Sequence, residues 1–392
     1  MPDSNTYQPF PLPEDITEAY IDCTSSCGLN YHILQAGQPG QPLLLFCHGY
    51  PELAFSWRKI MPSVAAAGYY CVAMDQRGYG RTTGWDKQPF DQVDLTQYTM
   101  TNLVRDLVCL VYKLGYKDVA CIIGHDFGAV SSALAALMRP DIFQATIQMS
   151  HPHHAPPSPP FGGDGGDGGE QKKPKLDIQA ELAKLDPPRK HYKWYNSTPA
   201  AAHDWANPPQ GLEAYLRGYF HLKSAGYDKN QPRPLKEWSA KELEVMPEYY
   251  IMQEQHTLPQ SVAHNMQNED ATRTESWLAP ADLQVYVHEW SRTGFQGALN
   301  WYRAQTASTP LLARDMLLFA GRRIEVPCYF ISGRQDWGNY QQPSAFESYE
   351  DEGVVKKGCF KGAKLIDHAG HWVQQEQPGR VVEEVLGFLG GL

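Results

Sequence analysis

What this 392-residue chain lacks narrows its function before any motif is read. No apolar run approaches the roughly 20 residues needed to cross a bilayer, so no membrane span is expected. Basic residues are in the minority, with 34 Lys and Arg against 44 Asp and Glu and a formal charge of −10. Neither nucleic acid nor an anionic membrane surface is therefore an expected partner. The eight cysteines form no disulfide framework. Cys47, Cys71, Cys109, Cys121 and Cys328 lie within apolar runs, as buried reduced thiols do, which points to a cytoplasmic setting. Cys23 and Cys27 have no second pair at metal-ligand spacing, so no metal site is expected. The opening Met-Pro-Asp-Ser-Asn carries no basic n-region or apolar h-region, and the closing Gly-Gly-Leu is no lipidation signal.

Hydrophobic residues are plentiful at 42%, and 22 Tyr and 10 Trp supply an aromatic pocket as well as a core. The length suggests one large domain carrying an insertion. Residues 17–38 alternate around a Ser-Ser-Cys-Gly turn and predict an opening hairpin. Short apolar runs at 43–47, 69–74, 119–123 and 145–149 alternate with helical spacing at 102–114 and 129–137. That alternation predicts a mostly parallel sheet with helices on both faces, whose sites form at the carboxyl ends of the strands. The polar clusters at His48, Asp75 and Asp126 all fall at such ends. After residue 150 the alternation stops. His151, His153 and His154 lead into a Pro-rich run, read as a solvated hinge, and then a Gly/Asp-rich tract at 162–170, read as a mobile loop. Residues 151–322 are expected to form an inserted α-helical cap, with the α/β core divided between 1–150 and 323–392.

The chain is organised around Gly124-His125-Asp126-Phe127-Gly128-Ala129. A strand, a polar residue flanked by small ones, then a helix is the setting of a nucleophile elbow, and here the apex is Asp. A carboxylate there attacks saturated carbon and leaves an alkyl ester on the enzyme. Such an ester must be cleared by water, whose base is an imidazole oriented by a carboxylate. His371 and Asp336, each following a strand, fit those roles, with His368 and Asp367 as decoys. The backbone N–H groups of Tyr50 and Phe127 are candidates for an oxyanion hole. His48, Pro51, His125, Trp301 and Trp337 are expected to line the substrate pocket, and Pro51 is a candidate for a cis bond.

His48-Gly-Tyr-Pro51, Asp75-Gln-Arg-Gly-Tyr-Gly80, Gly124-His-Asp-Phe-Gly128, Asp336 and Gly370-His-Trp372 together resemble the α/β-hydrolase family and, within it, the epoxide hydrolases. The resemblance covers nearly the whole chain. The segment 294–303 resembles the one carrying a ring-opening tyrosine, which maps to Tyr302, and Gly218-Tyr219-Phe220 best matches the second, with Tyr215 as its rival. The resemblance implies a small apolar epoxide as substrate, a vicinal diol as product, no cofactor, and room for a homodimer. Phe127 departs from the family, which commonly has Trp there, and the Gly/Asp-rich tract is also atypical. A haloalkane or haloacid dehalogenase is the nearest alternative, although Phe127 offers halide no indole N–H. A cyclase or lyase using Asp126 as a base is the other.

Overall fold

The computed structural model describes residues 7–154, 176–307 and 314–392, so the Gly/Asp-rich tract at 162–170 lies outside the described residues. β1 (Thr17–Cys23) and β2 (Leu29–Ala36) form the expected antiparallel hairpin, with one helical turn ending at Gly28, φ 80°. β3 (Leu43–Cys47), β4 (Tyr70–Met74), β5 (Cys121–His125) and β6 (Thr146–Met149) are buried at every position. A parallel strand covered on both faces needs apolar residues in succession, which is why these segments read as unbroken runs. Two helices, α1 (Met100–Lys113) and α2 (Phe127–Met138), lie between β4 and β6 in the chain.

An insertion follows β6. It contains β7 (Arg189–His191), α3 (Leu212–Leu222), β8 (Ile251–Gln253), α4 (Leu258–Asn265), α5 (Pro280–Thr293) and α6 (Gln296–Thr306). The antiparallel β7–β8 ladder departs from the all-helical expectation. Helix starts are marked locally, by a capping box of Thr257 with Gln260 on α4 and by Pro280 opening α5. The insertion is seated at one point by backbone alone: a Cβ on Gly78 (φ 88°) would lie 2.5 Å from the Gly297 carbonyl carbon. α6 thus rests directly on the loop that leaves β4.

β9 (Cys328–Gly333), β10 (Phe360–Ile366) and α7 (Pro378–Gly390) complete the chain. The eight-stranded order is β1-β2-β4-β3-β5-β6-β9-β10, with every pair from β4–β3 to β9–β10 parallel. Side-chain alternation splits the core in two: Leu43, Leu45 and Cys47 join one cluster, Leu44 and Phe46 the other. The second cluster continues without a break into Trp205, Tyr219, Trp290, Trp301 and Tyr302 of the insertion. The aromatic-rich insertion is packed onto the sheet by this shared core.

Candidate active site

Asp126 ends β5 and precedes α2, with φ 53° and ψ −115°. Backbone held there by a non-glycine residue stores about 1–3 kcal/mol of strain. Close neighbours hold it in place. A Cβ on Gly49 would lie 2.3 Å from the Asp126 Cβ, and one on Gly128 would lie 2.0 Å from the Cys47 carbonyl oxygen. Asp126 does not cap its own helix. Its Oδ1 instead accepts the Tyr50 N–H at 3.0 Å, and its Oδ2 lies 3.4 Å from His371 Nε2. The carboxylate thus faces an imidazole and not its own helix.

Behind that imidazole, His371 Nδ1 donates to Asp336, 3.1 and 3.0 Å from its two oxygens. Asp336 also accepts the Gly338 N–H at 2.6 Å. Burial pushes the Asp126 carboxyl up, but the hydrogen bond and charge of His371, then Lys223 and His125, outweigh it and hold the group well below the ordinary carboxylate range. For Asp336, burial is likewise outweighed by His371, the Gly338 N–H and Lys223. Both carboxylates stay ionised at neutral pH. His368 and Asp367 are exposed and take no part.

The backbone of His371 is anchored on every side. Its carbonyl accepts from His125 Nε2 at 2.6 Å and Ser150 Oγ at 2.9 Å, and its N–H donates to the Lys223 carbonyl at 2.8 Å. Glu376 accepts the N–H groups of Gly370 and Trp372, one on each side of His371. His125 Nδ1 meets Glu52 Oε2 at 2.6 Å. Its two ring nitrogens therefore face a carboxylate and a carbonyl, both acceptors, an arrangement that favours the imidazolium. Burial lowers its pKa, but the charge and hydrogen bond of Glu52 raise it further than burial lowers it. Glu52, fully buried and bonded also to Gln374 and Gln375, is shifted down on balance.

Removing one partner of a buried ion pair typically costs about 3–5 kcal/mol. Glu52→Gln should lose about that much in denaturant unfolding. The pair stabilises the fold above the unfolded Glu value of 4.5 and below the unfolded His value of 6.5. That stabilisation fades as pH falls through the lowered Glu52 pKa or rises through the raised His125 pKa. The variant should lose this dependence, and an unchanged unfolding midpoint would remove the pair from the fold's support.

The two tyrosines approach from the insertion. Tyr302 on α6 packs edge-on to Phe127 and Tyr50, with ring centroids 4.6 and 5.5 Å away. Tyr219 on α3 lies 6.3 Å from Trp372. Neither phenol donates to an acceptor among the described residues. Burial raises both pKa values, and the Asp126 charge adds to each. Tyr215, the rival, packs on Trp205 at 5.0 Å, and Asp126 is not among the charges that bear on it.

Several expectations need correction. His48 does not present its ring to a ligand: Nδ1 bonds the Gly49 carbonyl at 2.9 Å, and Nε2 accepts the Gln76 N–H at 3.1 Å. His125 is the buried cation just described. Trp301 donates its indole N–H to the Arg77 carbonyl, and the carbonyl of Pro51, in a cis bond after Tyr50, accepts from Trp290. These four residues frame the site, and of the five expected pocket residues only Trp337 keeps an unclaimed buried N–H. Asp75 belongs to the scaffold, bonded to His32 and to the N–H groups of Ala54 and Arg81. The three histidines are no solvated hinge. His153 is 4% exposed with its N–H on the Tyr349 hydroxyl, and His151 and His154 are half-buried. The Phe127 N–H stands at the first turn of α2 with no protein acceptor among the described residues. Nothing in the sequence marks Ser150, Gln374 or Gln375, and Lys223 is signalled only by standing four residues past Tyr219.

The α/β hydrolase fold family matches residues 42–164. Epoxide hydrolase A of Mycobacterium tuberculosis is 30% identical over 378 residues, covering 96% of this chain and 98% of that protein. An epoxide hydrolase of Caballeronia sordidicola is 28% identical, covering 92% and 91% of the two chains. Among solved structures, an epoxide hydrolase from an endophytic Streptomyces aligns with a TM-score of 0.74 at 25% identity, covering 97% and 96% of the two chains. Potato epoxide hydrolase I aligns with a TM-score of 0.68 at 25% identity, covering 96% and 100%. With its parallel sheet, its strained Asp126 and the carboxylate–imidazole pair behind it, this chain belongs to the epoxide hydrolases, enzymes of the α/β-hydrolase fold.

Proposed function

We propose that the enzyme hydrolyses an epoxide to a vicinal diol through a covalent ester on Asp126. The observation that carries this reading is the division of labour between the two Asp126 oxygens, Oδ1 on the Tyr50 N–H and Oδ2 on the His371 side. In the first step an Oδ2 lone pair attacks an epoxide carbon from behind and the C–O bond breaks. The released oxygen takes its proton from a phenol, Tyr302 or Tyr219, so that no free alkoxide forms. Both phenols are held protonated by burial and by the Asp126 charge, which suits a proton donor at neutral pH.

In the second step water attacks Asp126 Cγ and gives its proton to His371 Nε2. Asp336 orients the imidazole and stabilises its cation. Oδ1, the ester carbonyl oxygen, becomes an oxyanion where it already accepts the Tyr50 N–H, and the unclaimed Phe127 N–H is the second donor. Collapse breaks the bond to the alkyl oxygen, which leaves as diol with the proton from His371. Collapse leaves Asp126 as a carboxylic acid, and its proton passes through solvent to the phenolate left by the first step, which restores both groups. In this reading residues 151–322 act as a cap whose tyrosines complete a site that the core, 1–150 and 323–392, only half supplies.

A single turnover in heavy-oxygen water tests the reading. The label should enter the Asp126 carboxylate and the first diol should carry none, because one diol oxygen comes from Asp126. Label found in the first diol would mean direct attack of water on the epoxide and would end the covalent mechanism.

A further inference from the structure

Lys223 takes no step in the mechanism above, although its charge helps keep Asp126 and Asp336 ionised. It stands at the end of α3, four residues past Tyr219, and is 3% exposed. Its ammonium is ringed by aromatics, with Nζ 5.3 Å from the Tyr219 ring centroid, 5.0 Å from Tyr250 and 5.2 Å from Trp372. Among the described residues no carboxylate comes within ion-pair distance of it, and it donates no hydrogen bond. Aromatic faces compensate a desolvated cation only in part.

Other donors on this side also lack acceptors. Gln341 binds the Tyr192 hydroxyl through its carbonyl oxygen at 3.2 Å, but its Nε2 is buried with no acceptor. The Tyr250 hydroxyl is likewise buried and unclaimed. A continuous wall connects these groups to the chemistry: Tyr302 lies 5.8 Å from Tyr192, Tyr192 lies 5.0 Å from Tyr250, and Tyr250 faces Lys223. Buried polar groups in native proteins are ordinarily paired. A wall of donors with an ammonium at its end lacks an acceptor-rich anion.

We propose that the substrate is an epoxide carrying a carboxylate, which Lys223 holds while Tyr302 and Tyr219 hold the epoxide oxygen. The proposal rests on the epoxide-hydrolase reading and replaces the small apolar substrate by an anionic one. The charges agree. Lys223 lies within electrostatic reach of Asp126 and Asp336, and burial lowers its pKa while those two carboxylates and Glu52 raise it part of the way back. When Asp126 becomes an ester its negative charge is lost, and the ammonium then has less to balance it. A carboxylate on the bound substrate restores the balance through both steps. A neutral substrate leaves the ammonium buried and short of partners.

The test compares 3-phenylglycidate with 3-phenylglycidamide, a neutral analogue of nearly the same shape. The amide is intrinsically the more electrophilic epoxide, so a preference for the acid comes from binding. The intact enzyme should favour the acid by about tenfold or more in kcat/KM, as expected of a charge-assisted contact. That ratio should fall toward one in Lys223→Met and largely persist in Lys223→Arg. Each ratio is read within one preparation, so partial loss of folded protein does not affect it. Should Lys223→Met fail to fold, 3-phenylpropionate should inhibit the intact enzyme at a roughly tenfold lower concentration than 3-phenylpropionamide. Equal handling of acid and amide, equal inhibition by the two analogues, or an equal loss on both substrates in Lys223→Met would overturn the proposal. Failure of every epoxide, neutral styrene oxide included, to yield diol would sink the hydrolase reading itself, a separate outcome.

Discussion

His371→Ala is expected to react once and stop. In the proposed mechanism ring opening needs an ionised Asp126 and a phenol to protonate the leaving oxygen; without the imidazole, Lys223 and His125 still favour the ionised carboxylate, and the phenols are untouched. Clearing the ester needs a base at Cγ, and the proposed mechanism assigns that role to His371 Nε2, which lies 3.4 Å from Asp126 Oδ2 without another partner. Turnover should drop by about 10⁴ or more, since in the proposed mechanism the residue serves as general base and then as general acid. The variant should still fold around the site. The contacts that fix this loop are made by the backbone of His371, to His125, Ser150 and the Lys223 carbonyl, and alanine keeps them all. Intact mass after mixing with styrene oxide should rise by one whole epoxide, and peptide mapping should place it on Asp126. Sustained turnover would remove His371 from the mechanism. A folded variant with no adduct would favour Asp126 as a base, as in a cyclase or lyase.

Asp126→Ala should be the more complete loss, about 10⁶ in kcat, the scale seen when a covalent nucleophile is removed. No neighbouring carboxylate can substitute. Asp336 lies behind the imidazole, and Glu52 is committed to His125 and two glutamines. The same substitution separates function from stability. Position 126 holds φ 53°, a conformation glycine adopts freely and alanine does not. Asp126→Gly should be equally inactive yet more resistant to denaturant than Asp126→Ala, by about 1 kcal/mol. Equal stability of the two variants would mean that the elbow is unstrained. Residual turnover in either would place the nucleophile elsewhere.

The parts of this molecule that were legible in the sequence are those with a local cause. The run 43–47 is a strand with the same bounds in the structure because a parallel strand buried on both faces must be apolar throughout. Asp126, Asp336 and His371 were legible because each follows a strand in a sheet that gathers such ends into one place. The β7–β8 ladder was not, since three residues are too few to show a period. The network behind Asp126, Asp336 and His371 was not either. Glu52 and His125 are 73 residues apart, and Gln374 reaches Glu52 across 322, so nothing local links them. His125 misleads for that reason: beside Asp126 in sequence, it points away from it into the scaffold. Lys223 looks in the sequence like any solvated helix-terminal lysine, and only the rings of Tyr250 and Trp372, brought in from other segments, turn it into a buried cation.

The contact between Gly78 and Gly297 gives the enzyme an adjustment that involves no reactive group. Tyr302 is carried on the helix that begins beside Gly297, and Asp126 hangs from the sheet, so in the proposed mechanism the gap between phenol and carboxylate is gauged where two bare backbones touch. A single methyl at that joint would act as a shim, raising the proton donor relative to the nucleophile while every catalytic side chain stayed the same. Selectivity between epoxides that differ in bulk at the ring can therefore drift, or be engineered, from a position that never meets the substrate.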